Sequence, residues 1–150
     1  MDKAWNEKYN QQDLQRLRGL RLMDDDFMSK CFENNIECTE LVLHIVLGRD
    51  DLKVEKVETQ HLIKNLQGRS IILDIYATDH VGKQYNIEIQ RADRGAGAKR
   101  ARYHSSLIDA NVTEPGDKLE NLAETYVIFI TERDVMGDGL PIYHINRVVE

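Results

Sequence analysis

Three consecutive segments between residues 52 and 90 have strand-like patterns of hydrophobic and polar residues, and they predict three β-strands. Residues 83–90 (KQYNIEIQ) alternate cleanly, while residues 69–78 (RSIILDIYAT) are rich in β-branched side chains. Residues 52–59 alternate less regularly. The short connection between the last two strands contains Gly82, which tolerates positive φ. These two strands are therefore predicted to form a β-hairpin.

Three helices are predicted around these strands. The first follows a run of aspartates, an N-cap signal, and the second has Thr39 as its cap and Gly48 as its C-terminal stop. The third follows Gly95. The predicted helices cover about residues 26–34, 37–47 and 96–110, and residues 1–22 form a polar lead-in or a short helix.

The second half of the chain carries two more strand signals. Residues 125–131 (TYVIFIT) are continuously apolar, which is typical of a strand buried on both faces. A turn at residues 136–139 leads to a last predicted strand at about 141–149. The element order is helix, three strands, helix, strand, which predicts an α/β domain with a mixed central sheet flanked by helices. The sequence ends while still strand-like, which leaves open that it is a fragment of a longer protein.

Length and composition favour one soluble domain, at residues 23–150, after the lead-in. The chain has 150 residues, of which 41% are hydrophobic and 31% charged. No apolar run approaches the ~18 residues that span a bilayer. There is no signal-peptide core, so we expect a cytoplasmic protein without a membrane partner. Cys31 and Cys38 lack zinc-ligand spacing with the histidines and are expected to be free thiols.

The net charge of −6 is unfavourable for a nucleic-acid-binding protein, but the charge is unevenly distributed. Residues 91–102 contain five cations against Asp93 alone, a local net charge of +4. A solvated helix face is the simpler interpretation of this segment. Its position directly after the hairpin favours contacts with phosphates instead.

The register of the hairpin brings two acids together. If the loop comprises residues 80–82, paired positions sum to 162 and Asp74 lies opposite Glu88, with Cβ atoms about 4.5–5.5 Å apart. This register also keeps apolar residues on one face and polar residues on the other, as a half-buried sheet requires. The apolar face would hold Ile71, Leu73, Ile75, Tyr85, Ile87 and Ile89, and the polar face Asp74, Tyr76, Asn86, Glu88 and Gln90.

Like charges placed opposite each other destabilise a hairpin, and a divalent cation is the natural compensation. Asp74 and Glu88 are thus candidate Mg²⁺ ligands, and the carbonyl of Ile89 could add a further oxygen. The alternative is an ordinary polar sheet face exposed to solvent.

The hairpin pattern Asp-x13-Glu-x-Gln, together with RARYHSSLID and YVIFIT downstream, resembles the PD-(D/E)XK nuclease superfamily. Within it, residues 20–149 resemble the recombination-promoting nuclease (Rpn), or putative transposase, family. The resemblance implies that Asp74 and Glu88 bind metal and that Gln90 takes the place of the usual lysine. Glu40 would be an accessory acid on the preceding helix, although Glu33 and Glu37 are close in sequence.

The exchange of lysine for glutamine removes a positive charge, since an amide can only donate and accept hydrogen bonds. Lys99 and Arg91 are the candidates to supply a charge from elsewhere. The residues expected to contact nucleic acid are Arg91, Arg94, Lys99, Arg100, Arg102 and Tyr103.

The resemblance implies hydrolysis of DNA phosphodiester bonds with Mg²⁺, or Mn²⁺, in recombination or transposition. Cutting both strands needs two sites, which favours a homodimer. Two alternatives remain open from the sequence. One is a nuclease-fold module that binds nucleic acid or a protein partner without cutting, and the other is a protein-interaction domain in which the acids are incidental.

Overall fold

The computed structural model describes residues 10–91, 96–146 and 148. Arg94, a predicted phosphate contact, lies outside the described residues. The elements in chain order are α1 (Gln11–Gly19), α2 (Asp25–Phe32), α3 (Ile36–Leu47), β1 (Val54–Ile63), β2 (Ile71–Asp79), β3 (Gln84–Gln90), α4 (Ala98–Val112), a single 3₁₀ turn (Leu119–Asn121) and β4 (Thr125–Thr131).

The four strands form one mixed sheet in the order β1-β2-β3-β4. The first two pairings are antiparallel, and β3 pairs with β4 in parallel. A parallel pair needs a crossover connection, and α4 provides it. The predicted α/β class and the order of helix, three strands, helix and strand are confirmed.

The two faces of the sheet are covered by different helices. Helices α2 and α3 bury Met28, Phe32 and Leu43 against one face. Helix α4 buries Leu107 and Ile108 against the other. No helix in the described part of the chain is long and apolar enough to cross a membrane.

Strand β2 changes the helix layer that it packs against at its middle. Ile75 belongs to the core under α2 and α3, whereas Ile71 and Leu73 belong to the core under α4. The prediction that all three share one apolar face with β3 was therefore wrong for Ile71 and Leu73. In β1, the position across from Asp74 is Gln60, which has a positive φ of 53°. This local backbone distortion accompanies the change of layer.

The ends of α3 follow simple capping chemistry. The side chain of Asn35 accepts a hydrogen bond from the Cys38 N–H and so caps the helix. The predicted cap, Thr39, instead lies inside the helix, and its hydroxyl donates to the Asn35 carbonyl. Gly48 ends the helix with φ 63°, as predicted.

The last two strand predictions need correction. β4 was predicted to be buried on both faces, but it is the edge strand of the sheet and all of its residues are only partly buried. A continuous apolar run in the sequence therefore did not distinguish an edge strand from a central strand of the sheet. No strand follows it within residues 132–146 and 148, so the predicted strand at 141–149 is not formed there. The turn before it does form, with Gly137 and Gly139 at positive φ.

Candidate functional site

The hairpin register agrees with the prediction. The paired residues of β2 and β3 run from Thr78–Gln84 to Ile75–Ile87, and each pair sums to 162. Continuing this register by one residue places Asp74 opposite Glu88. These two residues, called the acid pair below, lie where the regular ladder between the strands ends.

At the acid pair, the hydrogen bonds between β2 and β3 run from backbone N–H groups to carboxylate side chains instead of to backbone carbonyls. The N–H of Asp74 donates to Glu88 Oε1 at 3.3 Å, and the N–H of Ile89 donates to Asp74 Oδ2 at 3.0 Å. Each carboxylate thus accepts a hydrogen bond from the backbone of the opposite strand. This arrangement holds both acids at the gap between β2 and β3.

Glu88 is almost fully buried, with 1% of its surface exposed, and α4 supplies its remaining partners. Arg100 donates from its guanidinium to Glu88 Oε2 at 2.7 Å. His104 lies one helical turn further along α4, and its Nδ1 is 3.8 Å from Glu88 Oε1. The guanidinium of Arg100 therefore brings a positive charge into direct contact with Glu88.

Burial and the neighbouring acid act together on Glu88. Burial raises the pKa of the Glu88 carboxyl, the charge of Asp74 raises it further, and the opposing effect of Arg100 does not restore it. A buried acid against a second acid is costly in the ionised form. The acid pair is thus a place where added positive charge is favourable.

A layer of polar side chains continues beside Glu88 under α4. His104 is buried, and its Nε2 accepts from Arg100 Nε at 3.3 Å. Burial together with the charges of Arg100 and Arg69 lowers the pKa of His104 to about 4, so the imidazole is neutral near pH 7. Asn86 contacts His104 Nδ1 at 3.0 Å, and its Oδ1 is buried without a hydrogen-bond partner.

The predicted accessory acid, Glu40, is not brought to the acid pair. Its carboxylate binds Lys53 Nζ at 2.8 Å and accepts from the Val54 N–H at 3.0 Å. Val54 pairs with Asp79, five residues along β2 from Asp74, which corresponds to about 16–17 Å of strand. Glu40 here anchors the start of β1, at the opposite end of the hairpin.

Gln90 and the backbone of Ile89 are placed beside the acid pair. Gln90 lies two residues after Glu88 on the same strand, so it shares the face of Glu88, and it is partly buried. The N–H of Ile89 points to β2, as its bond to Asp74 shows. The carbonyl of a strand residue points to the same side as its N–H, so the Ile89 carbonyl also faces β2.

Some of the residues predicted to contact phosphate are bound to other groups of the protein, and others are exposed to solvent. Arg91 pairs with Asp24 at 3.1 Å, and Tyr103 donates to the Arg69 carbonyl. Lys99 and Arg102 are exposed on α4. Arg91 and Lys99 were the two candidates to replace the missing lysine, but the cationic side chain that contacts Glu88 is Arg100.

A hard divalent cation suits the donor atoms at the acid pair. Mg²⁺ binds through one or two carboxylates, keeps several waters and accepts carbonyl oxygens. Asp74, Glu88 and the Ile89 carbonyl would supply such a set. Among the described residues there is no group of three or more His, Cys, Asp or Glu side chains that could hold a metal.

The mixed sheet with helices on both faces is consistent with a PD-(D/E)XK nuclease-like fold. The family model described as PD-(D/E)XK nuclease family transposase matches residues 20–146, and the chain belongs to this family. The predicted resemblance is thereby confirmed. No curated protein and no solved structure gave a match.

Three side chains at this site were not assigned their observed positions from the sequence. Arg100 was expected to contact phosphate, but it binds Glu88. His104 and Asn86 were not singled out as site residues, although both are buried beside Glu88. Two signals were available: the spacing of four between Arg100 and His104, which places them on the same face of a helix, and the predicted polar face, which already held Asn86 beside Glu88.

Proposed function

We propose that the protein is a divalent-metal-dependent endonuclease that hydrolyses DNA phosphodiester bonds. Membership of the nuclease family supports a nuclease-like activity. The observation that carries the finer proposal is the acid pair, in which two carboxylates face each other at a gap in the sheet beside an exposed basic helix.

Asp74, Glu88 and the Ile89 carbonyl are the proposed metal ligands. A bound Mg²⁺ or Mn²⁺ would activate a water and neutralise charge on the phosphate. Gln90 is proposed to orient the attacking water through its amide, since it lies on the same face as Glu88. Because Gln90 has no charge, the positive electrostatic contribution of the chain itself would come from α4.

Lys99 and Arg102 are the proposed contacts with the DNA backbone. Both are exposed on α4, the helix that also delivers Arg100 to Glu88. Contacts with phosphates give affinity without reading sequence. The net charge of −6 for the chain would keep nonspecific binding weak away from this helix.

Cleavage of supercoiled plasmid in the presence of Mg²⁺ or Mn²⁺ tests this proposal. We expect Asp74→Asn and Glu88→Gln to abolish cleavage, while Glu55→Gln, which removes an exposed acid from β1, should cleave like the wild type. Cleavage that persists in both site variants would refute the assignment. Linear product without a nicked intermediate would support paired sites in a homodimer.

A second candidate function is binding of nucleic acid without cleavage. It is favoured by one observation: Glu88 Oε2 is already bound by Arg100, and no lysine stands at position 90. This alternative predicts salt-dependent DNA binding in the absence of metal and no plasmid cleavage under any metal condition.

A further inference from the structure

Arg100 binds Oε2 of Glu88, one of the two carboxylate oxygens through which Glu88 would hold a metal ion. Its guanidinium lies 2.7 Å from Oε2, while the other oxygen, Oε1, accepts the N–H of Asp74. Both carboxylate oxygens of Glu88 therefore have partners in the protein without metal. A cation that binds Glu88 through Oε2 has to compete with the guanidinium.

The position of Arg100 is not explained by the helix that carries it. Arg100 lies in the first turn of α4, where the helix dipole disfavours a cation, and no acidic residue of that turn compensates. The contact that does compensate is Glu88, on the neighbouring strand. The cation is held there by the acid pair.

Arg100 also has contacts that do not depend on Glu88. Its Nε donates to His104, and its guanidinium carbon lies 5.4 Å from the centre of the Phe129 ring. About a third of its side chain, 35%, is exposed, compared with 1% for Glu88. The guanidinium can thus leave the carboxylate while the side chain remains at the site.

We propose that Arg100 is an internal counter-ion that competes with the divalent metal for Glu88. This inference rests on the metal site proposed above. Without metal, Arg100 neutralises one of two facing acids and lowers the cost of holding them together. When a metal binds, the displaced guanidinium keeps its contacts with His104 and Phe129 and has donors available for a phosphate oxygen.

Binding of Mn²⁺ in the absence of DNA tests the competition, with the free ion measured by its electron paramagnetic resonance signal. The titration compares the full chain with Arg100→Gln, Arg100→Lys and Lys53→Gln at about pH 8, because metal affinity depends on ligand protonation. Lys53→Gln is the control, since it removes an exposed positive charge at the opposite end of the hairpin. Thermal melting without metal establishes that each variant is folded.

We expect Arg100→Gln to bind Mn²⁺ at least about tenfold more tightly than the wild type, the effect of losing one charged hydrogen bond. Arg100→Lys, which keeps the charge, should stay close to the wild type, and so should Lys53→Gln. Unchanged or weaker binding by Arg100→Gln would overturn the competition. If the wild type also binds Mn²⁺ and cleaves DNA, the proposed function survives that result.

Absence of Mn²⁺ binding in every variant would overturn both the competition and the metal site. Binding by Arg100→Gln but not by the wild type would support the competition in its strongest form. If thermal melting shows that Arg100→Gln is unfolded, Arg100→Met takes its place, because it removes the charge and keeps a flexible side chain against the Phe129 ring. The same increase in Mn²⁺ affinity is expected of Arg100→Met, and unchanged binding would overturn the competition.

Discussion

The β2–β3 hairpin has a buried acid near each end, and the two acids have opposite surroundings. Asp79, at the turn, is 3% exposed and accepts hydrogen bonds from the Val81 and Lys83 N–H groups and from the Tyr85 hydroxyl. Glu88, at the other end, is 1% exposed and faces a second acid. Asp79 is held by neutral donors of its own hairpin, whereas Glu88 depends on a cation from helix α4.

This contrast separates a structural acid from a candidate functional one. Neutral donors hydrogen-bond both carboxylate oxygens of Asp79 and fix the turn, so a bound cation is not needed to stabilise this acid. At Glu88, burial and the repulsion from Asp74 both disfavour the ionised carboxylate. Holding that charge there lowers the stability of the fold unless a cation compensates for it. Unfavourable charge arrangements of this kind are common at functional sites, which is why the second end of the hairpin is the proposed active one.

The largest expected effect is on catalysis at the Glu88 end. Glu88→Gln should lower metal-dependent DNA cleavage by at least about a thousandfold, because several kcal/mol of charge stabilisation by the metal are lost. The same change removes the repulsion from Asp74 and weakens the bond to Arg100, and because these two effects oppose each other the stability of the variant should change little. Cleavage rates and urea unfolding of the same preparation check both statements. If Glu88→Gln is inactive because it is unfolded, Glu88 is a structural acid like Asp79 and the proposed difference between the two ends is wrong.

At the turn, the expected effect is on stability alone. Asp79→Ala leaves three donors without their acceptor, including the buried Tyr85 hydroxyl, and should lower the free energy of unfolding by about 4 kcal/mol. Urea denaturation measures the loss. The fraction that remains folded should cleave DNA at the wild-type rate, since Asp79 is five residues from Asp74. A loss of activity with unchanged stability would contradict the structural role.

The polar layer under α4 gives the third effect, which appears on changing pH. The unfolded chain protonates His104 near pH 6.5, but the native protein does so only near pH 4. Its contribution to stability is therefore present above about pH 6.5 and is lost as the pH falls towards 4, by at most about 3 kcal/mol. His104→Gln should flatten the dependence of unfolding free energy on pH in this window.

Glu88 acts in the opposite direction, because its raised pKa lets the native protein bind a proton more readily as the pH falls. It remains in the His104→Gln variant, as do Arg100 and Arg69. The difference between the two unfolding curves therefore isolates His104. Parallel curves for the wild type and the variant would contradict this prediction, because they would show that the His104 imidazole has the same pKa in the native and the unfolded state.

Local rules predicted much of the hairpin, and tertiary packing decided the rest of the site. The alternation in β3 and the position of Gly82 were sufficient for the register that places Asp74 opposite Glu88. The change of layer at Asp74 is accompanied by a positive φ at Gln60, for which the sequence gives no rule. The contact between Arg100 and Glu88 depends on how a crossover helix lies on the sheet, which residue spacing does not fix.

The smallest expected effect is on DNA affinity, and it tests which end of the hairpin faces the nucleic acid. Lys99→Gln and Arg102→Gln remove exposed cations near the Glu88 end and should each reduce the salt dependence of binding by about one charge. Lys53→Gln removes an exposed cation near the Asp79 end, where Lys53 pairs with Glu40. It should leave the salt dependence unchanged. Fluorescence anisotropy with a labelled duplex over a range of salt concentrations gives the three slopes. Equal slopes for all three variants would mean that DNA does not bind preferentially at the Glu88 end of the hairpin. Helix α4 would then not be the DNA-binding surface, but the metal site proposed at the acid pair would be unaffected.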